Sequence, residues 1–400
     1  MKRVGFFYFE EKNNDCRRQR MMKVLIVIMM AGMWCMQPEK ASAADPVIRV
    51  ILTTTDFNSR YHQEITVSYD GKEITYTAEE VKKQGDKVRI PAQKDGIRIL
   101  SIQRQSGTPV YDGSIEIIPK EEGLIIVNEL FLEKYLTRVV PSEMPATYEK
   151  EALKAQAVCA RTYAWKQIQE QRLHELEADV DDTVNFQVYG NMEPQKAATE
   201  AVRETEGQIL CQNGEAVEAY YFSTSAGVTS TDEIWGSDEA APYLRSVPCK
   251  FDEEPWSSWI VELPWKMLED RIREKGEGTV LRSVTVTRRS ESGAATALEA
   301  VSDKDSCIIE NEYEIRKFLA PVNCMITEKD GTETAGGSLL PSAYFELERT
   351  QNGNLQVRGK GYGHGVGMSQ TGADKMAEQG YDYREILDYF FRNITVENLG

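Results

Sequence analysis

Apolar and polar positions alternate along residues 46–127 in short runs rich in β-branched side chains. The clearest are Ile48-Arg49-Val50-Ile51-Leu52, Ile65-Thr66-Val67-Ser68-Tyr69 and Ile115-Glu116-Ile117-Ile118. Asp70-Gly71, Asp95-Gly96 and Asp112-Gly113 punctuate them, and such pairs supply the positive φ that tight hairpin turns require. The pattern predicts a β module over residues 46–122, built of short hairpins, whose plain reading is a scaffold for the adjoining region.

The period then changes. Glu143 stands in Pro141-Ser142-Glu143-Met144-Pro145, and two bracketing prolines predict a constrained turn outside any helix. A helix is predicted over residues 148–172, because Leu153, Ala157, Ala160, Ala164 and Ile168 recur at spacings of four, three, four and four. Most of that stripe is alanine, so other elements can approach closely and the helix should be central and buried. A second helix is predicted over residues 197–206. A hairpin about Asn213-Gly214 should come next, with residues 217–222 as its second strand.

Residues 251–337 differ in composition. Helical patterns over 263–275 and 312–319, and strand patterns over 280–287 and 297–301, predict a small inserted α+β module closed by Gly336-Gly337-Ser338. Strands return at 345–348 and 355–358. The predicted class is α+β: a mixed core in two parts, residues 123–250 and 338–400, with the N-terminal β module and the insertion.

The first forty-five residues do not read as fold. Arg17, Arg18, Arg20 and Lys23 precede an uncharged apolar run over 24–36, and Ala41-Ser42-Ala43 gives a small-x-small cleavage pattern. This is the layout of a secretory signal, shorter than the ~20 apolar residues of a spanning helix. The expectation is an extracytoplasmic protein, either released by cleavage or retained by an N-terminal anchor. The formal net charge of −17 excludes a nucleic-acid binder, which needs a basic stripe. Seven scattered cysteines form no CxxC pair, so a disulfide framework or zinc knuckle is not expected; the one pairing to entertain is Cys307 with Cys324.

Several patterns could carry chemistry. Glycine occupies every second position from 359 to 367. If extended, that segment has one bare face and another carrying Lys360, Tyr362, His364, Val366 and Met368, with Gln370 just beyond. A bare face is either a ligand groove or a site of close strand packing. Lys154 and Arg161 are seven residues apart on the predicted helix, hence on one face and about 10 Å apart; they are either snorkelling surface bases or part of a groove. Tyr220 to Gly227 offers aromatic rings and hydroxyls, including Tyr221, Ser223 and Ser225, of the kind that bind sugars. The three histidines, His62, His174 and His364, show no metal-ligand spacing, and no nucleophile elbow is present. Asp181-Asp182-Thr183 reads as a solvated loop or helix cap.

Four segments together resemble the stage II sporulation protein D / amidase-enhancer family: EKYLTRVVPSEMPATYEKEALKAQAVCARTYA from Glu133, DDTVNFQVY from Asp181, AYYFSTSAG from Ala219 and GYGHGVGMSQTGADKMAEQG from Gly361. Members of the sporulation type are lytic transglycosylases that cut peptide-free glycan strands of peptidoglycan during engulfment. The resemblance implies that activity here, with Glu143 as the catalytic acid. It further implies a glycan groove lined by Lys154, Arg161, Tyr221, Ser223 and Ser225, with His364 and Gln370 near it. Implied partners are glycan strands, a sporulation amidase of the stage II sporulation protein P type and a membrane scaffold of the stage II sporulation protein M type. Some members hold a metal through Cys and His in the stretch matching DDTVNFQVY; neither residue is present there, so no metal and no cofactor is expected. The amidase-enhancing branch leaves a second reading open, in which the chain binds wall without cutting it. A transglycosylase needs one carboxyl group where hydrolases commonly pair two, because the muramic 6-hydroxyl is the attacking group. Burial would raise the affinity of Glu143 for its proton and the bases of the next helix would lower it.

Overall fold

The computed structural model describes residues 45–104, 107–190, 192–252 and 255–399. Apart from Asp45, the expected leader lies outside the described residues. Among the described residues no helix is long and apolar enough to cross a membrane. The class is α+β, and the described residues form eight α-helices: α1 (Ala78–Gln84), α2 (Leu132–Glu143), α3 (Lys150–Glu170), α4 (Lys196–Glu204), α5 (Trp265–Glu274), α6 (Glu312–Phe318), α7 (Gln370–Glu378) and α8 (Tyr383–Phe390).

The alternating runs form two sheets. One has five strands in the order Val88–Ile90, Ser114–Pro119, Leu124–Phe131, Val47–Leu52 and Val180–Asp181. The other orders Lys72–Thr77, Glu64–Tyr69, Ile97–Ile99 and Val110–Tyr111. The β module is not separate from the helical core. Its strand Val47–Leu52 pairs antiparallel with Leu124–Phe131 and parallel with Val180–Asp181, and one apolar cluster runs from Ile48 through the helices to Phe391.

Helix α3 is the axis of that cluster. Ala152, Leu153, Ala155, Ala157, Val158, Ala160 and Ala164 are fully buried. Their small side chains let α2, α4, α7, α8 and the strand Gln208–Gln212 pack directly on it. The Asn213-Gly214 turn forms with φ of 54° and 81°, but its second strand is only Glu215–Ala216. The chain turns out of that sheet, and Tyr221–Phe222 pairs elsewhere, in parallel with Met368–Ser369.

Asp181 and Asp182 are buried, not solvated. Asp182 accepts from the Thr53 hydroxyl at 2.6 Å and pairs with Arg104 at 2.6 Å. Asp181 accepts from Arg60 at 2.5 Å and from Thr183 at 2.6 Å. A buried carboxylate is tolerated only with partners of this kind. Local spacing does not reveal Thr53, Arg60 and Arg104, which lie 78 to 129 residues away in the chain.

The insertion has its own core of Trp259, Val261, Leu268, Ile272, Leu298, Ile315, Phe318 and Val357. Its limit is not at residue 337. Phe345–Arg349 and Leu355–Gly359 complete its sheet, with Trp259 opposite Gly359 and Leu263 opposite Leu355. In the Gly336-Gly337 pair, Gly336 permits close approach to Pro321, and the pair does not mark a domain boundary. Cys307 and Cys324 are free thiols, so the pairing entertained from sequence does not form.

The glycine segment is a chain of turns, not an extended bare face. Gly361, Gly363, Gly365 and Gly367 all have positive φ. The space a groove would need is taken by the protein itself: a Cβ on Gly367 would lie 2.1 Å from the Tyr220 carbonyl oxygen. Close strand packing, the other reading of the bare face, accounts for these glycines. Gly367→Ala combines φ +83° with that overlap, and should cost more than about 4 kcal/mol or prevent folding. Gly380→Ala, at φ +92° but in open space, should cost about 1 kcal/mol. Urea unfolding of the two variants checks the difference.

Candidate active site

Glu143 is the last residue of α2 and not part of an isolated turn. Pro141 sits inside the final helical turn, where its missing N–H removes one intrahelical bond without ending the helix. The Ser142 hydroxyl donates to the Arg138 carbonyl at 2.7 Å, and Met144 N–H closes the helix on Val140 at 2.9 Å. Pro145 then prevents continuation. The glutamate is thus carried on a rigid element anchored by Leu136, Val139 and Val140, all fully buried.

The Glu143 side chain is half-buried. Its Oε1 accepts from the Val188 backbone N–H at 2.6 Å, and the nearby Tyr221 hydroxyl also lowers its proton affinity. Loss of solvation raises its pKa from the ordinary 4.5 to about 7, against the lowering effect of those two groups. The carbonyl end of a helix further disfavours negative charge. Burial therefore prevails over the opposing cations expected from sequence, because neither Lys154 nor Arg161 bears on the carboxyl.

Those two bases are engaged elsewhere. Arg161 is fully buried and grips Glu133 with two bonds of 2.6 and 2.8 Å, while also donating to the carbonyls of Val202 and Gln208. Lys154 pairs with Glu151 at 2.8 Å and lies over the Tyr383 ring. They tie α3 to α2, α4 and α8, so their shared helix face is a structural seam.

The parallel pairing of Tyr221–Phe222 with Met368–Ser369 unites the last two sequence motifs beside the carboxyl. Tyr221 is in the site. Ser223 is half-buried, and its carbonyl accepts from Thr371 N–H at 3.0 Å. Ser225 is buried; its N–H donates to Asp252 at 3.0 Å, and Asp252 also accepts from the Ser369 and Thr371 hydroxyls at 2.9 and 2.8 Å. His364 sits behind Tyr221 among Tyr220, Phe222 and Trp235. Its Nδ1 accepts from Val366 N–H at 3.1 Å. Burial lowers its pKa to about 4, so it is neutral at pH 7. Gln370 is buried and donates to Gln156 at 3.4 Å. Among the described residues no group of three or more His, Cys, Asp or Glu is placed to hold a metal ion.

Three groups in contact with this centre were not expected: the Val188 N–H, the Gln187 amide and the Tyr135 hydroxyl. Gln187 and Val188 lie within DDTVNFQVY, whose position in the motif order was a usable signal, although its backbone donor could not be read from side-chain chemistry.

Comparisons with known proteins agree with this arrangement of motifs. The sequence profile of the family described as Stage II sporulation protein matches residues 120–211, which include Glu143, Gln187 and Val188. Stage II sporulation protein D of Bacillus subtilis is 32% identical over 286 residues, covering 68% of this chain and 75% of its own. The chain belongs to the stage II sporulation protein D / amidase-enhancer family. An uncharacterized protein of Brachyspira hyodysenteriae is 30% identical over 375 residues, covering 89% of this chain and 94% of its own. The amidase enhancer of Bacillus subtilis is 26% identical over 294 residues, which cover 65% of this chain and 40% of the enhancer. A second profile, of a domain of unknown function, matches residues 246–367, a span that contains the whole of the insertion's sheet and extends beyond it at both ends.

These placements carry opposite consequences for stability. Arg161→Ala leaves Glu133 without its buried partner and should destabilise the protein by about 3–5 kcal/mol in urea unfolding. Glu143→Gln should act in the other direction. With a folded pKa of about 7 against an ordinary 4.5, the folded protein holds a proton between those values that the unfolded chain releases. Glu143 therefore costs stability as pH rises through that window. The glutamine variant should melt roughly 3–5 °C above the parent at pH 8, with the gap narrowing toward pH 5 in calorimetry.

Proposed function

We propose that this protein is a lytic transglycosylase of peptidoglycan, acting on peptide-free glycan strands outside the cytoplasm, with Glu143 as general acid and then base. The observation that carries the proposal is the placement of Glu143, whose carboxyl ends a packed helix, is withdrawn from water and accepts from the Val188 N–H with no cation against it among the described residues. A carboxyl whose pKa is raised to about 7 is partly protonated at neutral pH, as a general acid must be. No second carboxylate bears on it among the described residues, which fits a reaction needing one carboxyl group.

In this reading Glu143 gives its proton to the glycosidic oxygen as the bond to C1 breaks. The 6-hydroxyl of the same muramic residue attacks C1, and its proton passes to the Glu143 carboxylate. The residue is restored and the new end is a 1,6-anhydro sugar. Val188 N–H holds the carboxylate while the proton is away, with the Tyr221 hydroxyl close by, and such a preorganised donor acts where charge develops.

The similarity to an amidase enhancer supports a second reading, in which the chain binds glycan and stimulates a wall amidase without cutting. A sporulation amidase of the stage II sporulation protein P type and a scaffold of the stage II sporulation protein M type are the partners proposed in either case. Digestion of peptide-free strands, followed by mass spectrometry, separates the two readings. Transglycosylation predicts anhydro-muramic ends and a rate that falls as pH rises through about 7. Glu143→Gln should lower that rate on the order of 10²–10⁴-fold while strand binding persists. Intact strands together with stimulation of an added amidase would select the second reading.

A further inference from the structure

We propose that Phe57 is a sugar-stacking platform beside the Glu143 site, a further glycan subsite built by the loop that follows the strand Val47–Leu52. The inference rests on glycan being the ligand of this protein, which both readings above share, and it does not require cutting.

The position of the loop follows from strand direction. Val47–Leu52 and Val180–Asp181 are parallel neighbours, with Ile51 opposite Asp181, so the segments after them leave the sheet at the same end. One of these segments, residues 182–190, brings the Val188 N–H to Glu143. The other, residues 53–61, is fastened to its root. Asp182 accepts from the Thr53 N–H at 3.0 Å and from the Thr53 hydroxyl at 2.6 Å. Asp181 accepts from Arg60 at 2.9 and 2.5 Å. The Tyr189 N–H, one residue beyond Val188, returns to the Asp182 carbonyl at 3.5 Å. The base of the Phe57 loop and the donor to Glu143 are therefore neighbours in space.

Phe57 stands at the tip of its loop. Its φ is 58°, a left-handed conformation that is costly for a bulky side chain. A closed set of bonds imposes it. Thr54 N–H donates to the Ser59 carbonyl and Phe57 N–H to the Thr54 carbonyl, both at 2.9 Å. Asp56 accepts from the Thr54 hydroxyl at 2.6 Å and from the Asn58 amide at 2.9 Å. Glycine or asparagine takes this conformation at less cost, so the turn itself does not call for phenylalanine. The ring is nonetheless 44% exposed. One face lies over the Arg104 guanidinium, 4.5 Å from the ring centre, and Arg104 is buried and held by Asp182. The ring is thus propped from below on a fixed cation, with its opposite face left to solvent.

The surroundings select the ligand. The exposed residues of the two segments are Thr55, Asp56, Phe57, Asn58, Val184 and Asn185. One aromatic face set among hydroxyl, carboxylate and amide groups suits a sugar, whose ring has an apolar C–H face edged by hydroxyls. A protein partner calls for a broader apolar centre.

Equilibrium binding of soluble peptide-free glycan strands tests this, in the full chain carrying Glu143→Gln so that no strand is cut. Adding Phe57→Gly should weaken binding about tenfold, the loss expected for one deleted aromatic contact. Its melting temperature should stay within a few degrees of the background, because glycine accepts positive φ without strain. Adding Phe57→Trp, which keeps a ring, should leave binding within about threefold of the background. Unchanged binding in Phe57→Gly overturns the proposal, and together with a large fall in melting temperature it assigns the ring to covering Arg104 alone. An equal loss in the glycine and tryptophan variants also overturns it. A background protein that binds no strand removes the glycan reading and this inference together, whereas one that binds strands equally with and without Phe57 removes this inference only.

Discussion

A carboxyl group withdrawn from water at the carbonyl end of a helix is costly, and the architecture around Glu143 is organised by how that cost is met. Two groups bear on it, the Val188 N–H, which donates to it, and the nearby Tyr221 hydroxyl. They come from segments 45 and 78 residues further along the chain, so neither helix α2 nor its flanking prolines could place them. What places them is α3. Its buried alanines let the segment carrying Gln187 and Val188 approach on one side, and the Ala160 carbonyl is the atom on which Gln187 is fixed.

The same economy governs the second half of the site. Tyr221 is held because its short strand pairs with Met368–Ser369, and that pairing is possible because glycines between 361 and 367 let the backbones come within van der Waals distance. Asp252 then fastens the arrangement. It gathers the Ser225 N–H and the Ser369 and Thr371 hydroxyls at the point where the chain leaves the core for the insertion. Hydroxyls that look like sugar-binding groups in the sequence are in part the bolts of this junction. His364, neutral and enclosed by aromatic rings, packs against Tyr220 and Phe222 on either side of Tyr221 in the chain.

The two cations of α3 show how close a correct pattern can lie to a different role. Lys154 and Arg161 do share a helix face, as their spacing requires. That face meets Glu133, Glu151 and Glu204, so the charges are neutralised within the fold and leave the proton affinity of Glu143 to burial. Had either base faced the carboxyl, the glutamate would be ionised at neutral pH and unable to act as an acid.

The sequence by itself determined the class of fold, the central alanine-striped helix, the Asn213-Gly214 turn and the family, because periodicity, turn chemistry and ordered motifs are local properties. It also singled out Glu143 and Tyr221. It did not reveal that Glu143 ends a helix, since one proline in a last turn costs a single hydrogen bond that packing of Leu136, Val139 and Val140 outweighs. Nor did it show that Asp181 and Asp182 are buried, that the strands Phe345–Arg349 and Leu355–Gly359 belong to the insertion, or that Gln187 and Val188 meet the carboxyl and its tyrosine. Each of these depends on a partner far away in the chain. Only the tertiary structure decided them, because burial and hydrogen-bond direction are properties of neighbours in space, and a residue's neighbours in sequence do not specify them.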